Sequence, residues 1–156
     1  MAKFFETAED ITELAHDLFE NTSLPQVGVN LKIMSVTSAK EVLKISKASA
    51  TMEFVTKKED VVILVVYEAA FDRLTDEIKT KLLEGCLSNV SYDTEKGKLN
   101  VDTSRYGELI RMRHKYSNYA AMIETASIVI EQIAEEERQR KEEEKARKAE
   151  EKKNRR

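Results

Sequence analysis

Tryptophan is absent from this chain, and its chemistry-bearing small residues are few: one cysteine, one proline, two histidines and four glycines. A lone thiol, Cys86, can close no internal disulfide and cannot build a thiolate zinc site, so a reducing compartment is the expected setting. The glycines, Gly28, Gly85, Gly97 and Gly107, stand singly. No glycine-rich loop can cradle phosphates, and nucleotide hydrolysis has no foothold. No apolar run approaches the ~20 residues that span a bilayer, and the polar start after Phe4-Phe5 carries no targeting pattern. A cytoplasmic protein is expected.

A strong excess of one charge is missing as well: 26 basic residues face 29 acidic ones. Leu, Ile and Val stop at Ile133, and residues 135–156 hold eight acidic and ten basic side chains with only Ala146 and Ala149 as apolar members. Affinity for nucleic acid grows with the number of phosphates neutralised by clustered Lys and Arg, which neither part supplies in excess. Nucleic-acid binding is therefore a weak expectation. It rests on Arg138, Arg140, Lys141, Lys145, Arg147, Lys148, Lys152, Lys153, Arg155 and Arg156 gathering on one side, against interleaved glutamates.

What is present is an alternation of helical and extended patterns. Phe4, Phe5, Ala8, Ile11, Leu14, Ala15, Leu18 and Phe19 recur at helical spacing, giving a first helix over roughly 6–20, stopped by Asn21-Thr22-Ser23 and Pro25. Val27, Val29, Leu31 and Ile33 alternate, as in a half-buried strand over 27–36, with Gly28 expected at a bulge. Residues 40–54 fit neither period. The β-branched run Val61–Val66 reads as a central strand buried on both faces. Thr75 stands at an N-cap, followed by acidic Asp76 and Glu77, so a helix is expected over about 76–89 with Ile78, Leu82, Leu83 and Leu87 on one face. A hairpin over Tyr92–Val101 would turn at Gly97, and Ser104 would cap the last helix.

That last helix carries Leu109, Met112, Tyr116, Tyr119, Ile123, Ala126, Ile130 and Ile133 at alternating a and d places over nearly four heptads. The seam serves either as a core stripe packed on its own domain or as an intermolecular surface for a protein partner or a homo-oligomer. Its two tyrosines disfavour a tight dimer, since buried hydroxyls need partners. Beyond it, Glu136 with Arg140, Glu137 with Lys141, Glu143 with Arg147 and Glu144 with Lys148 fall four apart, which suits a solvated helix as well as a disordered tail. The expected organisation is an α+β domain over 1–103 with a small antiparallel or mixed sheet, a packed or oligomerising helix over 104–134, and a charged extension over 135–156.

Catalytic patterns are thin. His16 and His114 lie in separate helices, no His-Glu-x-x-His or Cys-x-x-Cys occurs, and both histidines read as surface residues. Cys86 lies within a helix near its apolar face, as a buried small hydrophobe would. A Cys86–His114 pair assembled by folding is the one enzyme alternative, a divergent hydrolase. Acidic pairs such as Glu84 and Asp93 carry no signal among so many carboxylates. No cofactor is expected.

The order helix, strands, the segment Val61-Val62-Ile63-Leu64-Val65-Val66-Tyr67-Glu68-Ala69-Ala70-Phe71-Asp72-Arg73-Leu74, helix, then Tyr92-Asp93-Thr94-Glu95-Lys96-Gly97-Lys98-Leu99 resembles the SprT-like metallopeptidases of phages over roughly residues 1–120. The resemblance implies a zincin-like scaffold. It also implies that Gly85, Cys86 and Asn89 stand where the family has two zinc-binding histidines and a catalytic glutamate, so hydrolysis through zinc is not expected. A scaffold stripped of its chemistry points to a non-catalytic interaction or structural protein, acting in a host cytoplasm or in a virion if phage-encoded.

Overall fold

A computed structural model describes residues 2–156. In chain order it holds β1 (Phe4–Phe5), α1 (Glu9–Glu20), a 3-10 turn (Pro25–Val27), β2 (Asn30–Val36), β3 (Leu43–Lys47), α2 (Ala50–Thr56), β4 (Val61–Val66) and α3 (Glu68–Phe71). There follow α4 (Asp76–Leu87), β5 (Val90–Asp93), β6 (Lys98–Val101), α5 (Arg105–Lys115) and α6 (Tyr119–Asn154). The fold is α+β: a four-stranded mixed sheet in the order β1-β2-β4-β3, a separate β5-β6 hairpin, and a long C-terminal helix.

The β-branched run of β4 takes an interior place, parallel to β2 with Leu31 opposite Val62 and Ile33 opposite Leu64, and antiparallel to β3 with Ile45 opposite Leu64. Strand alternation then sends Val62, Leu64, Val66, Ile33 and Ile45 to one face. There α1 packs through Ile11, Ala15 and Phe19, and α4 through Leu82, Leu83 and Cys86. Val62, Leu64, Val66 and Leu83 are wholly buried, and each such side chain stabilises the fold by about 1.5–3 kcal/mol. On the other face Val61 is buried while Met34, Ile63 and Val65 are only partly covered, so the expectation of two buried faces holds best on the core side.

Local chemistry sets the helix starts. Thr75 accepts from the Ile78 N–H, Ser49 from Met52 and Ser104 from Gly107, each an N-cap satisfying an otherwise orphaned donor. Ala8, which precedes α1, has no side chain to cap with. Its N–H instead donates to Glu68 Oε1 at 2.7 Å, and the buried Ser35 hydroxyl donates to the same oxygen at 2.8 Å. Gly97 takes φ +61° in the hairpin turn, as its place there requires.

At four places the structure corrects or completes these expectations. Phe4 and Phe5 do not begin the first helix; they pair with Val36 and Ser35 as an edge strand, because main-chain bonding to β2 outweighs a marginal extra helical turn. Gly28 is not a strand bulge but the left-handed residue, φ +88°, that closes the turn begun by Pro25, so β2 starts only at Asn30. The unassigned stretch 40–54 resolves into β3 and the start of α2.

The fourth concerns the last helix, which is broken: Tyr116 is extended at φ −133°, ψ 108°, and α5 and α6 are separate. Tyr116 is held there by hydrogen bonds from its hydroxyl to Glu84 at 3.0 and 3.2 Å and by Lys81, whose Nζ lies 4.6 Å from the ring centre. Met112, Tyr119, Met122, Ala126, Val129 and Ile133 still join the core, so α5 and the first part of α6 pack on the α+β body as far as Ile133. Beyond it α6 continues to Asn154, giving a helix about 54 Å long. Of the four expected ion pairs in the extension, Glu144–Lys148 forms at 2.8 Å, whereas Glu136 turns to Arg73 on the body at 2.7 Å.

Candidate functional site

A groove of about 760 Å³ runs between β3 and the helices α5 and α6. One wall is the segment 38–46, including Val42, Leu43 and Ile45; the other carries Leu109, Ile123, Ser127 and Ile130, with Cys86 and Tyr119 between them. Its size lies in the range of ordinary ligand clefts.

The β3 wall has a particular property. Tyr67 N–H donates to the Val42 carbonyl at 2.8 Å and Ala48 N–H to the Val61 carbonyl at 2.9 Å, at the two ends of the β3–β4 ladder. In an antiparallel pair the bonded residues alternate, so Lys44 and Ser46 direct their main-chain groups at β4. Leu43, Ile45 and Lys47 direct theirs away from it. β3 is the last strand of the sheet, so that edge is open, and its Leu43 and Ile45 portion lines the groove.

At one end the groove meets a polar network. Tyr119 is wholly buried, and its hydroxyl donates to Glu108 Oε2 at 3.1 Å. Asn89 Nδ2 donates to the other Glu108 oxygen at 2.9 Å, and Arg111 donates to Asn89 Oδ1 at 2.5 Å and to Asp102 Oδ2 at 3.2 Å. Burial, with the Glu108 carboxylate adding to it, pushes the Tyr119 hydroxyl well above the ordinary phenol range. The Ser104 backbone N–H, followed by the Arg111 guanidinium, holds Asp102 below its usual value. Among the described residues no buried side-chain nitrogen or oxygen lacks a hydrogen-bond partner.

The same network bears on reactivity. Burial, then the nearby Glu108 and Glu41 carboxylates, push the Cys86 thiol far up, so it stays protonated and a poor nucleophile. His114 and His16 are exposed. The Cys86–His114 arrangement would therefore have to join a buried thiol to a surface imidazole. Glu84 is engaged by Lys115 at 3.0 Å and by Tyr116, while Asp93 accepts the Glu95 and Lys96 N–H groups in the hairpin turn. Gly85 and Cys86 lie on α4 with Asn89 just beyond it, and the Asn89 amide is committed to Glu108 and Arg111. Among the described residues no three His, Cys, Asp or Glu side chains gather as a metal site, and no helix is long and apolar enough to cross a membrane.

The residues singled out by the heptad spacing divide into three groups. Met112, Tyr119, Ala126 and Ile133 are core; Leu109, Ile123 and Ile130 are partly buried and line the groove; Tyr116 lies against Glu84 and Lys81. Spacing did not reveal the opposite wall. Leu43 and Ile45 do alternate with Lys44, but the adjacent buried Val42 masks that period. No family model matches the chain, and no curated protein and no solved structure matches it.

Proposed function

We propose that this chain is a non-catalytic interaction protein that docks a segment of a partner polypeptide in the groove between β3 and α5–α6. One observation carries the reading: apolar side chains from β3, α5 and α6 face one another across the groove, while Tyr119, Glu108, Asn89, Arg111 and Asp102 at its end are already committed to one another. Such a surface gains from covering apolar area, and its buried Cys86 thiol and Tyr119 hydroxyl are held protonated. Charge favours the same kind of occupant. Glu41 is paired with Arg105 at 2.7 Å and Asp102 with Arg111 at 3.2 Å, whereas Lys40 and Lys44 at the groove form no ion pair among the described residues. The likeness to SprT-like phage enzymes enters as ancestry alone, a scaffold retained for binding without the zinc ligands.

The test is selection of peptides from a random display library on the immobilised full chain, with counter-selection on Ser127→Arg. Ser127 is half-buried on the α6 wall, and an arginine there would fill the groove while leaving the core of the helix alone. Enriched peptides should bind the wild-type chain and lose about tenfold or more in affinity for Ser127→Arg, a change of about 1.4 kcal/mol. If the library yields no peptide, or only peptides indifferent to Ser127→Arg, the reading fails.

A further inference from the structure

We infer that the docked segment binds as an added β-strand along the open edge of β3, with apolar residues at every second position and acidic residues between them. This rests on the groove being the polypeptide site, and it specifies how that site recognises its occupant.

The main-chain groups of Leu43 and Ile45 point away from β4 on the side of the groove, and among the described residues no strand is hydrogen-bonded to them. Protein edges of this kind are templates for another strand, and they are usually shortened, bulged or covered. Here the edge is neither bulged nor covered by a paired strand. The β5–β6 hairpin lies near β3 yet forms its own separate sheet. An extended segment placed beside β3 would satisfy the N–H and C=O of both residues at once, which a helix or a compact ligand cannot do.

Side-chain direction then sets the sequence preference. Leu43 and Ile45 project to the core face of the sheet, and Lys44 to the opposite face. Residues of the added strand across from Leu43 and Ile45 would follow them toward Leu109, Ile123 and Ile130, a surface that favours aliphatic side chains. Intervening residues would stand on the side of Lys44, where a carboxylate meets an uncompensated cation.

The experiment uses peptides enriched from the random display library on the full chain, resynthesised with one N-methyl group at each amide in turn. Strand addition predicts losses of about tenfold at alternate amides and little change at those between, because only every second amide faces β3. Lys40→Glu combined with Lys44→Glu, in a chain whose circular dichroism is unchanged, should weaken acidic peptides about tenfold and abolish the salt dependence of their binding. Tolerance of N-methylation throughout, or losses three and four residues apart as for a docked helix, would overturn the inference while leaving the groove as a polypeptide site. Peptides indifferent to Ser127→Arg would instead remove the underlying reading of the groove.

Discussion

Gly85 and Tyr119 are fitted to each other: the hydroxyl of the wholly buried Tyr119 occupies the space a side chain at 85 would need, and a Cβ built there would lie 2.6 Å from its Cζ. Glycine on α4 thus allows the first residue of α6 to reach through to Glu108. Gly85→Ala should destabilise the fold by about 1–3 kcal/mol through overpacking. Tyr119→Phe in the same chain should recover part of that loss, since the oxygen is the nearest atom. Thermal and urea unfolding of the two single variants and the double variant measure the coupling. Strictly additive losses would show that the two sites do not compete for this space.

The alkaline limb of stability should follow Cys86 and Tyr119. Both have pKa values raised by burial above their ordinary 9.0 and 10.0. The unfolded chain therefore releases these protons first as pH rises, and binds fewer protons than the native state. Their contribution is fully present below pH 9 and falls as pH climbs past those values. Cys86→Ala should flatten the fall that begins near pH 9, and Tyr119→Phe the part above pH 10, in denaturation midpoints followed against pH.

Glu68 anchors the residue that precedes α1, accepting from the Ala8 N–H, and the buried Ser35 hydroxyl donates to the same carboxylate oxygen. Glu68→Ala removes the acceptor of the exposed Ala8 N–H and one of the two partners of the Ser35 hydroxyl, the other being Thr7 Oγ1 at 2.9 Å, and should cost about 0.5–1.5 kcal/mol. Glu68→Gln, which keeps an acceptor oxygen, should cost less. Unfolding midpoints compare the two, and equal losses would assign the effect to charge and not to these hydrogen bonds.

Along α6 the buried and exposed positions should separate cleanly. Met122→Ala empties part of the core and should cost about 2–5 kcal/mol, whereas Ile128→Ala, at a position 46% exposed, should change stability by no more than about 0.5 kcal/mol. Chemical unfolding of both variants checks the ranking.

The charged extension should be separable from the body. Ending the chain after Glu137 keeps Ile133 and the Arg73–Glu136 pair, so the unfolding midpoint should barely move while circular dichroism loses the helical signal of the excised segment. Ending it after Ala126 strips Val129 and Ile133 from the core and should lower the midpoint markedly.

Much of this architecture could be read from residue order because the forces involved are local. β-branched crowding made Val61–Val66 a strand, the hydroxyl of Thr75 began α4, and Gly97 turned the hairpin; each acts within a few residues of itself. The helical state of residues 135–154 also follows a local tendency, though the ion pairs differ from those that spacing suggests, because Arg73 on the body captures Glu136. Where distant groups compete, spacing was insufficient. The heptad run from Leu109 to Ile133 is the same whether its helix is whole or bent, and the bend at Tyr116 is decided by Glu84 and Lys81 on α4. Phe4 and Phe5 became a strand only because β2 offered them partners. The groove is the extreme case, since an open edge at Leu43 and Ile45 is defined by which strand lies beside β3 and which does not. The chain itself determines the elements and their buried faces, through short-range sterics and hydrophobic pattern. Tertiary structure alone decides which edge remains unpaired and what stands across from it, because the first depends on pairing between separate strands and the second on Leu109, Ile123 and Ile130, more than 60 positions along the chain from β3.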